Sequence, residues 1–265
     1  MIEVIKDKLK NLKNNDEKIN IAREFLQILI LKILRDKNAF KNLAFLGGTS
    51  LRILYDLKRF SEDLDFSITK KTGYEFIKLI EALKRELELL NLKVTLKYKT
   101  GTADNCFIKF EDVLQELGLP VHREEKLPIK IEIDTNPPKG ANLEEKLINE
   151  HFIFNLITYD ISSLMAGKLH AILCRKYSKG RDFYDLVWYL TKGTSPNIKL
   201  LNNSIIQTEK EDWKVSDINW KKVVLDKIKD LNFKKIQNDV TPFLSDINEA
   251  ELITLATFEK LLKDN

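Results

Sequence analysis

The chain has 265 residues, of which 43% are hydrophobic and 32% charged, so it can bury a sizeable core and its composition excludes wholesale disorder. Its net charge of +4, from 44 basic and 40 acidic residues, neither establishes nor excludes a nucleic-acid partner. The two cysteines match no zinc motif, and the longest apolar run is much shorter than the about 20 residues of a membrane span, so we expect a cytoplasmic protein.

The first part of the chain mixes helical and strand patterns. Apolar periodicity predicts a helix over 18–37, a strand over 43–46, a helix from 49 onward, a strand over 64–68, a helix over 73–90, and strands over 92–99, 105–110 and 129–134. We therefore expect an α+β lobe over residues 1–160, in which helices flank a mixed sheet.

From about residue 161 the patterns become helical. The predicted helices span 163–177, 181–190, 220–231 and 248–263. Residues 191–217 are polar and are predicted to form a long exposed connection. We expect residues 161–265 to form a mainly helical lobe that completes an active-site cleft with the first lobe.

Two glycines separate the first predicted strand from the helix that follows it. Gly47 and Gly48 would let the backbone bend sharply and let a phosphate approach main-chain N–H groups, since no Cβ stands in the way. The helix that follows, which Thr49 or Ser50 could cap, would add the positive end of its dipole. A purely structural turn would use the same glycines, so the neighbouring motif must decide between these readings.

That neighbouring motif is a pair of aspartates on the next strand. Residues i and i+2 of a strand point to the same face, so Asp63 and Asp65 would lie side by side while Leu64 and Phe66 enter the core. Two such carboxylates repel each other, and a divalent cation relieves the repulsion. Although a lone pair of this kind is common on solvated surfaces, its position after a phosphate turn predicts a Mg²⁺ site, in which Mn²⁺ could substitute.

A third carboxylate could come from the predicted strand over 129–134. Glu132 and Asp134 would share one face, and either could act as a base or as a further metal ligand. We favour Glu132, because apolar residues flank it on both sides. An edge strand with charged outward positions would show the same pattern.

Basic and acidic residues recur at helical spacing in the second part of the chain. Lys168 and Arg175 could project from neighbouring turns and hold the triphosphate of a nucleotide. Alternatively, both are solvated, and Asp182 caps the next helix or pairs with Arg181.

Four motifs together resemble the AbiEii/AbiGii toxin family of nucleotidyltransferases, within the polymerase-beta-like superfamily. They are Phe45-Leu46-Gly47-Gly48-Thr49-Ser50-Leu51-Arg52, Arg59-x-Ser61-x-Asp63-x-Asp65, Lys168-x-x-Ala171-x-x-x-Arg175 and Arg181-Asp182-x-x-Asp185-Leu186. The resemblance covers about residues 20–190. It implies that Asp63 and Asp65 bind magnesium, that Ser61 and Lys168 contact the nucleotide, and that Asp182 or Asp185 completes the site.

The same resemblance implies an activity and partners. The protein would transfer a nucleotide from a nucleoside triphosphate to a hydroxyl, that of a tRNA 3′ end, as the toxin of a toxin–antitoxin or phage-defence system with a cognate antitoxin. One alternative is an enzyme of the same fold that modifies a small molecule or a protein hydroxyl. Another is a catalytically silent nucleotide- or RNA-binding module.

Overall fold

A computed structural model describes residues 1–119, 125–209 and 214–263, and the chain forms two compact units in it. The first unit comprises Met1–Asp56, Phe60–Pro137 and Glu145–Thr158. The second comprises Leu57–Arg59, Pro138–Glu144 and Tyr159–Asn265. The lobes and the cleft predicted from the sequence stay predictions.

A seven-stranded mixed sheet with flanking helices dominates the first part of the chain. The strands are β1 (Leu43–Leu46), β2 (Asp63–Ile68), β3 (Val94–Lys99), β4 (Ala103–Phe110), β5 (Leu127–Asp134), β6 (Leu143–Glu150) and β7 (Phe152–Tyr159). The helices are α1 (Ile2–Leu9), α2 (Asn15–Asp36), α3 (Gly47–Tyr55), α4 (Phe76–Leu89) and α5 (Val113–Glu116), with a short 3₁₀ helix at Ala39–Lys41.

The sheet order β3-β4-β5-β2-β1-β7-β6 places β1 and β2 in its interior. β2 runs antiparallel to β1 and parallel to β5, and β1 runs parallel to β7. This arrangement confirms the predicted α+β class with a mixed sheet. It also gives β2, which carries the two aspartates, a strand neighbour on each side.

Helix α2 forms where its apolar periodicity predicts, and it packs against the core of the sheet. Its first turn is capped by Asn14, whose side-chain oxygen accepts hydrogen bonds from two backbone amides of that turn. Phe25 and Leu29 of α2 are buried in the same core as Phe45 and Phe66 of the central strands. The ring centroids of Phe45 and Phe66, which are paired across the two strands, lie 5.4 Å apart, so the two rings are neighbours on the core-facing side of the sheet.

Helices make up the later part of the chain. They are α6 (Ile161–Cys174), α7 (Gly180–Thr191), α8 (Ile198–Glu209), α9 (Trp220–Ile228), α10 (Phe233–Val240) and α11 (Leu255–Lys263), with 3₁₀ helices at Thr241–Phe243 and Ile247–Leu252. Helix α7 packs against α6, α10 and α11. A Cβ at Gly180 would overlap the carbonyl oxygen of Ile236, so the close approach of α7 to α10 requires glycine there.

The predicted exposed connection over residues 191–217 is wrong. Helix α8 occupies the middle of that stretch, and Asn197 caps it by accepting a hydrogen bond from the backbone amide of Leu200. Leu200, Leu201 and Ile205 are buried, so a narrow apolar stripe anchors an otherwise polar helix. The prediction failed because the asparagines and threonine of this segment hide that stripe.

Strands β6 and β7 and helices α1, α5 and α10 were not predicted. The residues of β6 are mostly charged or exposed, because β6 is an edge strand, and such a strand has no clear apolar alternation. None of the described helices combines the length and apolar character needed to cross a membrane.

Candidate active site

The Gly47 turn lies directly against one of the paired aspartates. Gly47 has φ +83°, a conformation that disfavours other residues, and a Cβ on it would overlap the carboxylate of Asp65. In the register of the two strands, Leu46 at the end of β1 is opposite Asp65 in β2. The glycine is therefore required both by backbone geometry and by the closeness of the carboxylate.

Helix α3 begins at Gly47, earlier than predicted, so the expected capping by Thr49 or Ser50 is wrong. The Ser50 hydroxyl donates to the carbonyl oxygen of Gly47 at 2.8 Å, and the Thr49 hydroxyl donates to the carbonyl oxygen of Asp63. No described side chain caps the first turn of α3. The buried Gly48 and Thr49 thus form a helix N-terminus that is fastened to β2, and its amides could receive a phosphate.

Asp63 and Asp65 occupy alternate positions of β2, as predicted, and both are half-buried. Leu64 and Phe66, between and after them, are buried in the core. In the parallel pairing of β2 with β5, Asp65 is opposite Glu132. Three acidic positions therefore share one region of the sheet.

Strand β5 lies between β2 and β4, so the alternative that Glu132 marks an edge strand is wrong. The Glu132 carboxylate forms an ion pair with Lys130, two residues earlier on the same face. Asp134, the other candidate, is opposite Ser67, and its side chain accepts a hydrogen bond from the amide of Asn136 at 2.8 Å. Burial raises the pKa of Asp134 despite this bond, and the charge of Glu132 raises it further.

Two cations near the acidic group were missed by the sequence analysis. Burial lowers the pKa of Lys130, but the charges of Glu132, Asp63 and Asp65 outweigh it, so the pKa lies above the usual value. Burial lowers the pKa of Arg23 in α2, and the charges of Glu62 and Asp63 only partly offset this effect. The position of Lys130 two residues before Glu132 was a signal that could have found it.

The carboxylates fit a magnesium ion that retains water and binds substrate phosphates. Among the described residues, no group of three or more His, Cys, Asp or Glu side chains is arranged to hold a metal. Asp63 and Asp65 lie on one face and suit the coordination preference of Mg²⁺, which is usually bound through one or two carboxylates plus phosphates and waters. A closed, all-protein metal cage is not what this arrangement offers.

Ser61 precedes β2 and is half-buried. Its carbonyl oxygen accepts a hydrogen bond of 3.1 Å from the side-chain amide of Gln27, a buried residue of α2. This bond fixes the backbone at Ser61, whose contact with a nucleotide stays a prediction.

A network of buried charges lies in the second unit. Arg59 donates to both carboxylate oxygens of Asp185, at 2.6 and 2.7 Å. The ammonium of Lys168 lies 2.8 Å from Asp185 and 2.9 Å from Asp182. Arg175 donates to the other oxygen of Asp182 at 2.5 Å, so three cations share two carboxylates.

This network contradicts the alternative reading of these residues. Asp182 lies inside α7, where it binds Lys168 and Arg175 instead of capping the helix, and Arg181 packs on the ring of Phe243. The side chain of Lys168 is only 15% exposed, so it is not a solvated surface lysine, although Arg175 is 31% exposed.

Asp185 is fully buried, which separates its role from that of Asp182. Burial raises the pKa of its carboxyl, but the charges of Arg59 and Lys168 outweigh that effect, so the pKa is lowered and Asp185 stays ionised. Burial also lowers the pKa of Lys168, and Asp182 and Asp185 more than reverse it. A carboxylate with no exposed surface can position Lys168 more readily than it can touch a substrate.

Arg59 is the partner that sequence reasoning missed. It stands in the motif that carries the resemblance, four residues before Asp63, but no role followed from its position. Its side chain is 1% exposed. A buried arginine needs a buried carboxylate, but the sequence alone does not show that Arg59 is buried, so it gave no signal for this pair.

Comparison with known proteins identifies the class of enzyme. The family described as "Nucleotidyl transferase AbiEii toxin, Type IV TA system" matches residues 29–264. The chain belongs to this family. It is therefore a nucleotidyltransferase of the AbiEii toxin type, as the sequence motifs predicted, which favours an enzyme over a silent binding module. The match includes every predicted site residue, from Gly47 to Asp185.

Two solved structures share the AbiEii-type fold of this chain. JHP933 from Helicobacter pylori is 20% identical, with a TM-score of 0.54 and 92% of each chain covered. A "putative nucleotidyltransferase" from H. pylori is also 20% identical, with a TM-score of 0.56 and coverage of 92% of this chain and 95% of that one. At this identity the likeness concerns the fold alone. No curated protein sequence is significantly similar to the chain.

Proposed function

We propose that the protein is a magnesium-dependent nucleotidyltransferase that adds a nucleotide to the 3′ end of tRNA and acts as the toxin of a toxin–antitoxin pair. The observation that carries the metal-dependent chemistry is the pair Asp63 and Asp65 on one face of β2, with Asp65 against the Gly47 turn. The choice of tRNA and a role in phage defence rest on the family resemblance.

In the proposed reaction, the acceptor hydroxyl oxygen forms a bond to the α-phosphorus of the nucleoside triphosphate. The bond from that phosphorus to the bridging oxygen breaks, and pyrophosphate leaves with the electron pair. The proton of the hydroxyl passes to a nearby base, for which Glu132 is the candidate. Magnesium held by Asp63 and Asp65 would supply charge neutralisation at the phosphates and lower the pKa of the hydroxyl.

The amides at the start of α3 are proposed to bind phosphate oxygens through Gly47, Gly48 and Thr49. These residues provide donors without a side-chain cap, and the helix dipole favours negative charge there. Ser61 is proposed to contact the nucleotide. Most of the chemistry would then be positioning and electrostatic stabilisation.

Lys168 and Arg175 are proposed to bind the triphosphate. An ammonium group has three donors, and two described carboxylates, those of Asp182 and Asp185, lie within bonding distance of Lys168. The third donor could bind a phosphate oxygen. Asp182 and Asp185 would then act by orienting the lysine.

Replacing Lys168 by alanine is expected to lower kcat/KM for the nucleotide, because a desolvated cation is lost. The expected loss of transition-state stabilisation is about 2 to 5 kcal/mol. The control is Lys176→Ala, which removes an exposed lysine that follows α6 and should leave kcat/KM nearly unchanged. Initial rates across nucleotide concentrations test the prediction, with Tm recorded for each variant. Equal kcat/KM for wild type and Lys168→Ala would remove Lys168 from the site.

A labelling assay can identify the acceptor without presupposing that it is tRNA. Purified protein is incubated with each radiolabelled nucleoside triphosphate, Mg²⁺ and either total RNA or cell extract, and the labelled product is identified. Label in tRNA supports the proposal. Label confined to a protein or small molecule would instead establish a different acceptor.

Expression of the active enzyme is expected to arrest growth and to lengthen tRNA 3′ ends, because an extended end blocks aminoacylation. Asp63→Asn under the same promoter should do neither. Growth curves and sequencing of tRNA 3′ ends measure both effects. Normal growth and unmodified tRNA, with protein that is active on another acceptor in vitro, would exclude tRNA as the target.

A further inference from the structure

A pocket lies in the first unit, at the end of β1 and β2 that is opposite to the paired aspartates. It has a volume of about 530 Å³ and is bounded by the end of α2, the 3₁₀ helix Ala39–Lys41, the loop after β2 and the first turns of α4. The strand register shows the separation, because Leu46 is opposite Asp65 whereas Leu43, which lines the pocket, is opposite Ile68. This volume is within the range of small-molecule sites.

The rim of this pocket is strongly basic. Four lysines line it, and Glu75 is the single acidic residue among its described lining residues. Two of the lysines are neutralised, since Lys78 pairs with Glu75 at 2.6 Å and Lys37 pairs with Glu86. Lys41 and Lys70 are exposed, and no described carboxylate forms an ion pair with either. Two cationic groups are therefore available to an anion at the same mouth.

The floor of the pocket is apolar and includes an aromatic ring. The half-buried Tyr74 and Leu79 line it, and the buried Leu43 lies beneath them. The Tyr74 hydroxyl donates a hydrogen bond to Asp104 at 2.8 Å, which fixes the ring. Burial raises the pKa of this hydroxyl, and the bond to Asp104 raises it further, so the hydroxyl stays protonated. A planar base stacks well on such a surface, and aromatic side chains commonly serve this purpose.

One asparagine fixes the loop that lines this pocket. The Asn42 side chain donates to the carbonyl oxygens of Lys70 at 2.7 Å and Thr72 at 2.9 Å. The backbone carbonyl oxygen of Asn42 accepts a hydrogen bond from the backbone amide of Thr69 at 2.7 Å. These bonds fasten the loop after β2 to the start of β1, so the backbone that carries Lys70 is fixed before a ligand arrives.

We propose that this pocket binds a phosphorylated nucleoside, with its base against Tyr74 and Leu79 and its phosphate between Lys41 and Lys70. The ligand can be a free nucleotide or one unit of an RNA strand, since both present the same ring and phosphate. The site shares no residue with the proposed catalytic set, so it stands independently of the proposed reaction.

The test compares two charge reversals in the Asp63→Asn/Asp65→Asn background, in EDTA, which removes metal-dependent binding at the paired aspartates. The pocket variant is Lys41→Glu/Lys70→Glu. The control is Lys97→Glu/Lys99→Glu, which changes two exposed lysines of β3 in the same unit by the same charge. Binding is measured by fluorescence anisotropy with ribose-labelled fluorescent AMP and with a labelled oligouridylate of about 12 nucleotides.

The pocket variant is expected to lower the affinity for AMP at least about tenfold, and the control at most about twofold, because only the former removes phosphate contacts. An equal loss for the oligonucleotide identifies an RNA unit as the source. Loss for AMP alone identifies a free nucleotide. Equal affinities of pocket variant and control for both probes, or no binding of either probe to the background protein, would overturn the proposal.

Acetylation footprinting of the protein without lysine substitutions avoids any effect of those substitutions on folding. Lysines are acetylated with and without AMP, or with and without the oligonucleotide, and the rates are compared by mass spectrometry. Protection of Lys41 and Lys70, with Lys97 and Lys99 unprotected, supports the pocket. Equal acetylation of all four lysines with and without both ligands would refute it, whichever result the transfer assay gives.

Discussion

Asp63→Asn and Asp65→Asn are each expected to reduce nucleotidyl transfer by about a thousandfold or more, because each replaces a charged metal ligand by a neutral amide of nearly the same volume. The fold should survive, since both side chains are half-buried and Leu64 and Phe66 carry the packing of β2. Relief of the repulsion between the two carboxylates should leave Tm unchanged or raise it.

Initial rates with Mg²⁺ at saturating nucleotide, together with thermal melts, measure both parts of this prediction. The matched control is Asp7→Asn in α1, an aspartate that is 81% exposed and therefore expected to have no effect on the rate. Magnesium-dependent activity near that of the wild type in both site variants would rule out the assignment of Asp63 and Asp65.

Asp185→Asn is expected to destabilise the second unit by about 3–5 kcal/mol, because it removes the buried negative charge that Arg59 and Lys168 share. The neutral amide has nearly the same volume, so the loss reports charge and not packing. The control is Asp226→Asn, which breaks an exposed pair with Lys229 and should cost less than about 1 kcal/mol.

Urea unfolding followed by tryptophan fluorescence measures this effect in the right part of the molecule, since the tryptophans among the described residues, Trp188 and Trp220, belong to the second unit. A loss of unfolding free energy as small as that of the control would show that the buried charge network contributes little to stability.

The same network predicts a pH dependence of stability. The pKa of Asp185 is lowered in the folded state, so its contribution is present above the unfolded pKa of about 3.9 and is lost as pH falls through the folded value. The difference in unfolding free energy between wild type and Asp185→Asn should therefore shrink in acid. A difference that stays constant from neutral pH to pH values below about 3 would contradict this origin.

Local periodicity determined much of the fold. The strands over 43–46 and 64–68 and the helix over 18–37 were predicted nearly at their observed positions, because burial of one face imposes a period that a single segment displays by itself. The same rule predicted that Asp63 and Asp65 share a face. Gly47 was predicted because a turn between a buried strand and a helix has few residues to choose from.

The sequence motifs also determined the family, since their order along the chain is a one-dimensional property. Helix α8 was not predicted because its buried apolar stripe is narrow. Strand β6 was not predicted because it lies at an edge of the sheet. In such segments the tertiary neighbours, and not the local pattern, decide the structure.

Only the tertiary structure decided which distant side chains meet. Strand β5 pairs with β2 in a register that places Glu132 opposite Asp65, and periodicity could indicate the face of each residue but not its neighbour. Arg59 binds Asp185 across 126 positions of sequence. Its charge was visible from the start, but its burial was not, because the free energy of a buried ion pair depends on a partner that only the folded chain brings within reach.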